Sequence, residues 1–153
     1  MSTVIVCVGN TYRGDDAAGL VAGERLRGRV PSTVRVVECE QEPTRLLEAW
    51  AGADVALVVD ACSSGAPAGT VHRFDASDGP LPARVFRSST HAFGVGDAIE
   101  MARALGRLPE RVLVYGVEGA DFTAGAELTP AVDSALDEVV RELEEEVRCT
   151  SAR

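Results

Sequence analysis

Apolar residues fall along this chain in two rhythms. Short unbroken runs, rich in β-branched residues, alternate with stretches where apolar positions recur every three or four residues. The first rhythm predicts buried strands and the second amphipathic helices. Val4 to Val8 reads as a strand stopped by Gly9, and Ala17 to Arg27 as a helix broken by Gly28. Val34 to Val37 is a second short strand. Pro43 to Trp50 is a helix with proline in its first turn and Leu46, Leu47 and Trp50 on one face. Val55 to Val59 is a further buried strand that ends in Asp60. Gly65 to Gly69 is a turn, and Thr70 to Phe74 reads as an edge strand. Asp75 to Thr90 holds Pro80 and Pro82 and reads as a long surface loop, of the kind that often carries function. Phe93 to Leu105 is a helix, Val112 to Val117 a strand and Gly119 to Leu128 an irregular segment. Thr129 and Pro130 start the last helix, as N-cap and first helical position. Its stripe of Val132, Leu136, Val139, Val140, Leu143 and Val147 is apolar, and Glu142 and Glu144 to Glu146 read as its solvated face. The order β-α-β-α-β-β-α-β-α predicts an α/β fold with helices on both faces of a sheet.

Length and composition narrow the function classes. At 153 residues the chain suits one domain, 1–153, with one sizeable core. A net charge of -9 argues against a nucleic-acid surface and against anionic lipid. No apolar run approaches the ~18–20 residues of a membrane span, so no membrane partner is expected. Cys7, Cys39, Cys62 and Cys149 form no C-x-x-C pair, which disfavours a zinc knuckle. Cys7 reads as a small core residue. The N-terminus enters a strand with no basic leader, and with the cysteine usage this predicts a reducing cytoplasm.

The chemistry concentrates where strands hand over to the following segment. Gly9-Asn10-Thr11-Tyr12-Arg13-Gly14-Asp15-Asp16 follows the first strand. In open α/β sheets the carboxyl ends of strands are where ligands bind. A phosphate loop here would be glycine-rich and end in Lys and Ser or Thr, whereas Asp15 and Asp16 repel phosphate and suit a cation. They equally suit a helix cap, favoured by the helix dipole. Asp60 ends the Val55 strand, or caps a turn there. His91, after Ser88-Ser89-Thr90, precedes a helix, as a ligand or as part of the cap. Imidazole and carboxylate together fit Zn, Ni or Fe better than Mg or Ca. Three ligands leave open positions for catalysis or for sensing a substrate. His72 alternates with Val71 and Phe74 and reads as a surface residue.

An ordered set of short motifs resembles the hydrogenase maturation proteases, the endopeptidases that trim the large subunit of [NiFe] hydrogenases. It comprises Gly9-Asn10 with Asp15-Asp16 and Gly19; Val59-Asp60-Ala61 with Gly65, Pro67 and Gly69; and His91 with Gly94 and Asp97-Ala98. It continues with Gly106-Arg107-Leu108-Pro109, Val114-Tyr115-Gly116-Val117 and Gly125-Ala126-Glu127-Leu128-Thr129-Pro130. The resemblance implies a three-layer α/β/α sandwich with a mainly parallel central sheet. It implies a nickel-responsive site at Asp16, Asp60 and His91, which serve as metal ligands and as catalytic residues of an aspartic-type, metal-linked endopeptidase. The implied partner is the precursor of a [NiFe] hydrogenase large subunit, cut at its C-terminus after nickel insertion. The Ni²⁺ arrives with that substrate, and Zn²⁺ or Cd²⁺ substitutes for it. The chain departs from the family where many members carry a Gly-Gly-Thr core and it has Glu38-Cys39-Glu40-Gln41-Glu42-Pro43-Thr44. It departs again at Glu118-Gly119-Ala120-Asp121-Phe122. Two alternative functions use the same residues: a nickel-binding maturation chaperone or checkpoint that does not cut, and a Cys–His peptidase built on Cys62 and His91. A flavodoxin-like nucleotide binder fits the acidic first loop least.

Overall fold

The structure, a computed structural model, describes residues 2–40, 42–82 and 94–151. Its elements are β1 (Thr3–Val8), α1 (Ala18–Leu26), β2 (Arg35–Cys39), α2 (Pro43–Ala49), β3 (Val55–Cys62), β4 (Val71–Asp75), α3 (Val95–Ala104), β5 (Arg111–Glu118) and α4 (Pro130–Ser151). The strands form one sheet in the order β2-β1-β3-β5-β4. All neighbours are parallel except β4, which runs antiparallel to β5 at the edge.

Parallel strands covered on both faces must be apolar throughout, and every residue of β1 and β3 is buried. Alternation along the strands divides the core in two. On one face Ile5, Leu57, Leu113 and Tyr115 meet Ala22 and Leu26 of α1 and Leu136, Val140 and Leu143 of α4. On the other, Val4, Val6, Ala56, Val58 and Val114 meet Leu46, Leu47 and Trp50 around α2 and Ala98, Ile99 and Ala102 of α3. The result is the α/β/α sandwich with a mainly parallel sheet.

Several elements depart from the sequence reading. β3 continues two residues beyond Asp60, so Asp60 lies inside the strand and pairs in register with Gly116. Asp15 and Asp16 lie in a separate 3₁₀ turn, Gly14–Ala17, before α1 begins at Ala18. No side-chain cap hydrogen bond is made at the start of that turn or of α1, so neither aspartate is the helix cap. The acidic run of α4 is not a purely solvated face either: Glu144 pairs with Arg29, and Glu146 pairs with Arg73 at 3.2 Å and Arg111 at 2.6 Å. Both carboxylates are largely covered. Of the predicted 75–90 loop, the described part is held by Arg103, which donates to the carbonyls of Ala76, Ser77 and Gly79 at 2.8–3.0 Å.

Candidate active site

The crevice of an open α/β sheet lies where the strand order reverses. Here that place is the carboxyl end of β1 and β3, since the chain leaves β1 for β2 on one side and leaves β3 for β4 on the other. Asp16 comes from the turn after β1 and Asp60 from the end of β3, and that turn packs against β3. Both carboxylates are buried, Asp16 at 4% exposure and Asp60 at 3%. Asp60 Oδ1 accepts the amide of Ala61 at 2.8 Å. Its register partner in β5 is Gly116. The third predicted residue, His91, lies outside the described residues.

The backbone positions Asp16 closely. Its carbonyl accepts the Asn10 amide at 3.0 Å and its amide donates to the Arg13 carbonyl at 3.1 Å. A Cβ on Gly9 would run into the Asp16 carbonyl, so residue 9 must be glycine for the loop to close this tightly. Gly14, at φ +56°, takes the left-handed conformation that bulkier residues rarely adopt.

Asp15 does different work. It is fully buried. Oδ2 accepts the amides of Ala120 at 2.8 Å and Asp121 at 3.0 Å, and Oδ1 accepts the Thr129 amide at 2.7 Å. The Thr129 hydroxyl lies 2.9 Å from Oδ2. Asp15 also donates its own amide to the Asp121 carbonyl at 2.8 Å. Asp15 thus ties the first loop to the 119–129 segment through its side chain, whereas the hydrogen bonds of Asp16 described above are those of its backbone.

A second polar cluster sits on the same sheet face. Glu118 ends β5 in register with Cys62, and it is 1% exposed. Its Oε1 accepts the amides of Ser64 at 2.6 Å and Gly65 at 3.0 Å. Its Oε2 lies 3.2 Å from the Cys62 thiol, 3.0 Å from the Ser64 hydroxyl and 3.3 Å from His72 Nε2. Burial works to raise the Glu118 pKa, but donation from Ser64, Cys62 and His72 outweighs it and holds the carboxyl below its ordinary value. His72 is therefore not the surface residue its alternation predicted; its side chain is 18% exposed, paired with Glu118 and stacked on Phe74. The sequence carries a sign of Glu118: like Asp60, it is an acidic residue at the carboxyl end of a strand-like apolar run.

The thiol setting bears on the Cys–His reading. A nucleophilic cysteine needs a lowered pKa. Burial, with the Glu118 hydrogen bond and charge and the charge of Asp60 added, pushes the Cys62 thiol up instead. Cys62 is set as a neutral thiol.

Along the start of the first loop a groove of about 530 Å³ opens at the carboxyl ends of β1 and β2, lined by Asn10, Tyr12, Arg35, Glu38, Glu40 and Arg45 among others. Tyr12 projects into solvent at its mouth. Most of the Glu38–Thr44 stretch that departs from the resembled pattern borders this groove or lies just past it.

The profile of the hydrogenase maturation protease family matches residues 22–146. The hydrogenase expression/formation protein HupD of Rhodobacter capsulatus is 30% identical over 149 residues, covering 92% of this chain and 70% of its own length. HupD of Thiocapsa roseopersicina is 27% identical over 145 residues, covering 88% of this chain and 66% of its own length. The chain spans about two thirds of the length of these curated relatives. Among solved structures, the hydrogenase maturating endopeptidase HybD from E. coli superposes with a TM-score of 0.84 at 22% identity, over 98% of this chain and 94% of that one. The HybD [NiFe] hydrogenase maturation protease from Thermococcus kodakarensis superposes at 0.74 and 22% identity, over 96% and 99% of the two chains.

Proposed function

From the premise that the chain belongs to the hydrogenase maturation protease family, we propose that it is the endopeptidase that removes the C-terminal peptide of a [NiFe] hydrogenase large-subunit precursor. One observation carries the reading on this chain's own residues. Two carboxylates, Asp16 in the turn that follows β1 and Asp60 two residues before the end of β3, are both buried. Carboxylates kept at a ligand-binding position are suited to meet a positive centre that the substrate brings.

In this reading Ni²⁺ held by the precursor is also ligated by Asp16, Asp60 and His91, and Zn²⁺ or Cd²⁺ substitutes for it. Held there, the cation would supply Lewis-acid polarisation of the scissile carbonyl or a water of lowered pKa, and Asp16 would serve as general base where it is not committed to the metal. This makes the enzyme metal-linked and aspartic in type, active in the cytoplasm where the precursor is loaded. The groove along the start of the first loop receives the polypeptide flanking the cut.

The test is to incubate purified protein with nickel-loaded and nickel-free precursor and follow the precursor mass. Cleavage of the loaded form alone is expected. Asp16→Asn and Asp60→Asn should each lower cleavage by at least two orders of magnitude with the fold intact, while Cys62→Ser keeps most of it. Equal cleavage of both precursors removes the nickel check. Loss of activity on Cys62→Ser alone transfers the reaction to the thiol.

A further inference from the structure

Cys62, His72 and Glu118 contribute a thiol, an imidazole and a carboxylate whose ligand atoms all lie within 4.8 Å of one another. None of the three belongs to the Asp16, Asp60 and His91 set. We propose that they form a separate binding site for a borderline divalent cation, Zn²⁺ by preference, on the edge of the sheet formed by β3, β5 and β4.

Geometry supports this in four ways. Zinc bonds are about 2.3 Å to sulfur and about 2.0–2.2 Å to nitrogen and oxygen, so tetrahedral donors stand roughly 3.4–3.6 Å apart. Glu118 Oε2 already stands 3.2 Å from Cys62 Sγ and 3.3 Å from His72 Nε2. Those two spacings fall a few tenths of an ångström short of coordinating ones, and the Cys62 and His72 donors lie within 4.8 Å of each other. Secondly, the carboxylate is held from behind: Oε1 takes the amides of Ser64 and Gly65, which leaves Oε2 aimed at the other two donors. Metal-binding carboxylates are commonly fixed by hydrogen bonds of this kind. Thirdly, the three donors come from three adjacent strands, whose pairing fixes their spacing. Fourthly, there is a way in. Cys62 and Glu118 are buried, but His72 lies on the edge strand and is partly exposed.

The donor set selects the ion. Thiolate and imidazole favour Zn²⁺ over Mg²⁺ or Ca²⁺, and three protein donors leave one position for water. On binding, the cation takes the place of the Cys62 proton, which leaves to solvent. The metal-free cluster is closed by that proton, which the thiol shares with Glu118.

The experiment titrates the purified full chain with Co²⁺ as a spectroscopic stand-in for Zn²⁺, under a non-thiol reductant. Exposed Cys149 is replaced by serine throughout. A thiolate-to-cobalt charge-transfer band should appear with one equivalent and disappear on adding Zn²⁺. Cys62→Ser should abolish the band. His72→Gln, at the rim and least disturbing to the fold, should weaken Co²⁺ binding at least tenfold with the unfolding temperature kept. Asp16→Asn should leave the band unchanged, which separates this site from the proposed cleavage site. Absence of the band in the parent protein overturns the proposal, as does a band that survives Cys62→Ser or is insensitive to His72→Gln. Those failures leave the cleavage reading standing, and loss of precursor cleavage would leave this site standing.

Discussion

Removing the Asp15 carboxylate would strand the amides of Ala120, Asp121 and Thr129 and the Thr129 hydroxyl at once. Hydrogen bonds to a charged group are worth more than neutral ones, and buried donors left without a partner cost extra. Asp15→Ala should therefore lower stability by about 2–4 kcal/mol, read by denaturant unfolding. Asp16→Ala should change stability much less while abolishing cleavage. Equal losses of stability would mean that the two neighbours share one structural duty. The sequence left both aspartates open as caps or ligands. Their division could not be read there, because the partners of Asp15 lie more than a hundred residues away. A second residue-scale expectation concerns pH. Burial raises the Cys7 thiol from 9.0 to about 12, with the Glu38 charge adding to it and Arg27 opposing. In that interval the unfolded chain has released this proton and the folded chain has not. The contribution is complete below pH 9.0 and is lost as pH rises toward 12. Unfolding followed across that window should show stability falling with pH, and Cys7→Ala should make the fall shallower. An unchanged slope in the variant would remove Cys7 as its source.

The elements show how far pattern reaches. β1 and β3 were legible because full burial demands continuous apolar runs, and α4 because its stripe follows the helical repeat. The end of β3 was not legible, because pairing with β5 carries the strand through Asp60, a residue that propensity would use to stop it. Nor was the 3₁₀ turn, whose shape is set by contacts with other segments. The close seating of α1 is likewise a tertiary matter. A Cβ on Gly19 would lie 2.6 Å from the Val59 carbonyl and closer still to that of Val8. Those are backbone atoms of central strands and cannot move aside. Gly19→Ala should cost at least about 3 kcal/mol by overpacking. A Cβ on Gly23 would instead meet the Cys7 side chain, with Sγ at 2.9 Å. Gly23→Ala should thus be milder, and adding Cys7→Ala should recover part of the loss. Thermal unfolding of the four variants tests this, and strictly additive effects in the pair would show that the two side chains do not meet.

At the scale of the molecule, the sandwich and its strand-end crevice were legible, because alternating elements leave few ways to bury a parallel sheet. The Asp16 and Asp60 positions followed from that architecture and from the resemblance. The Cys62, His72 and Glu118 cluster did not, because it depends on β4 returning antiparallel beside β5 and bringing an edge histidine over a neighbouring strand. The Asp15 clamp joins the beginning of the fold to its last loop, so the two should open together. Amide exchange should show Asn10, Asp15, Ala120, Asp121 and Thr129 protected to a common level, lost at both ends in Asp15→Ala. Protection lost at one end only would mean two independent loops. The clamp also has a meaning in time. A ribosome delivers residue 15 early, yet the amides that secure it come from residues 120, 121 and 129, after every strand of the sheet has been made. The turn that carries Asp16 is fastened only once residues 120 to 129 have been made, so a copy halted before them lacks that latch.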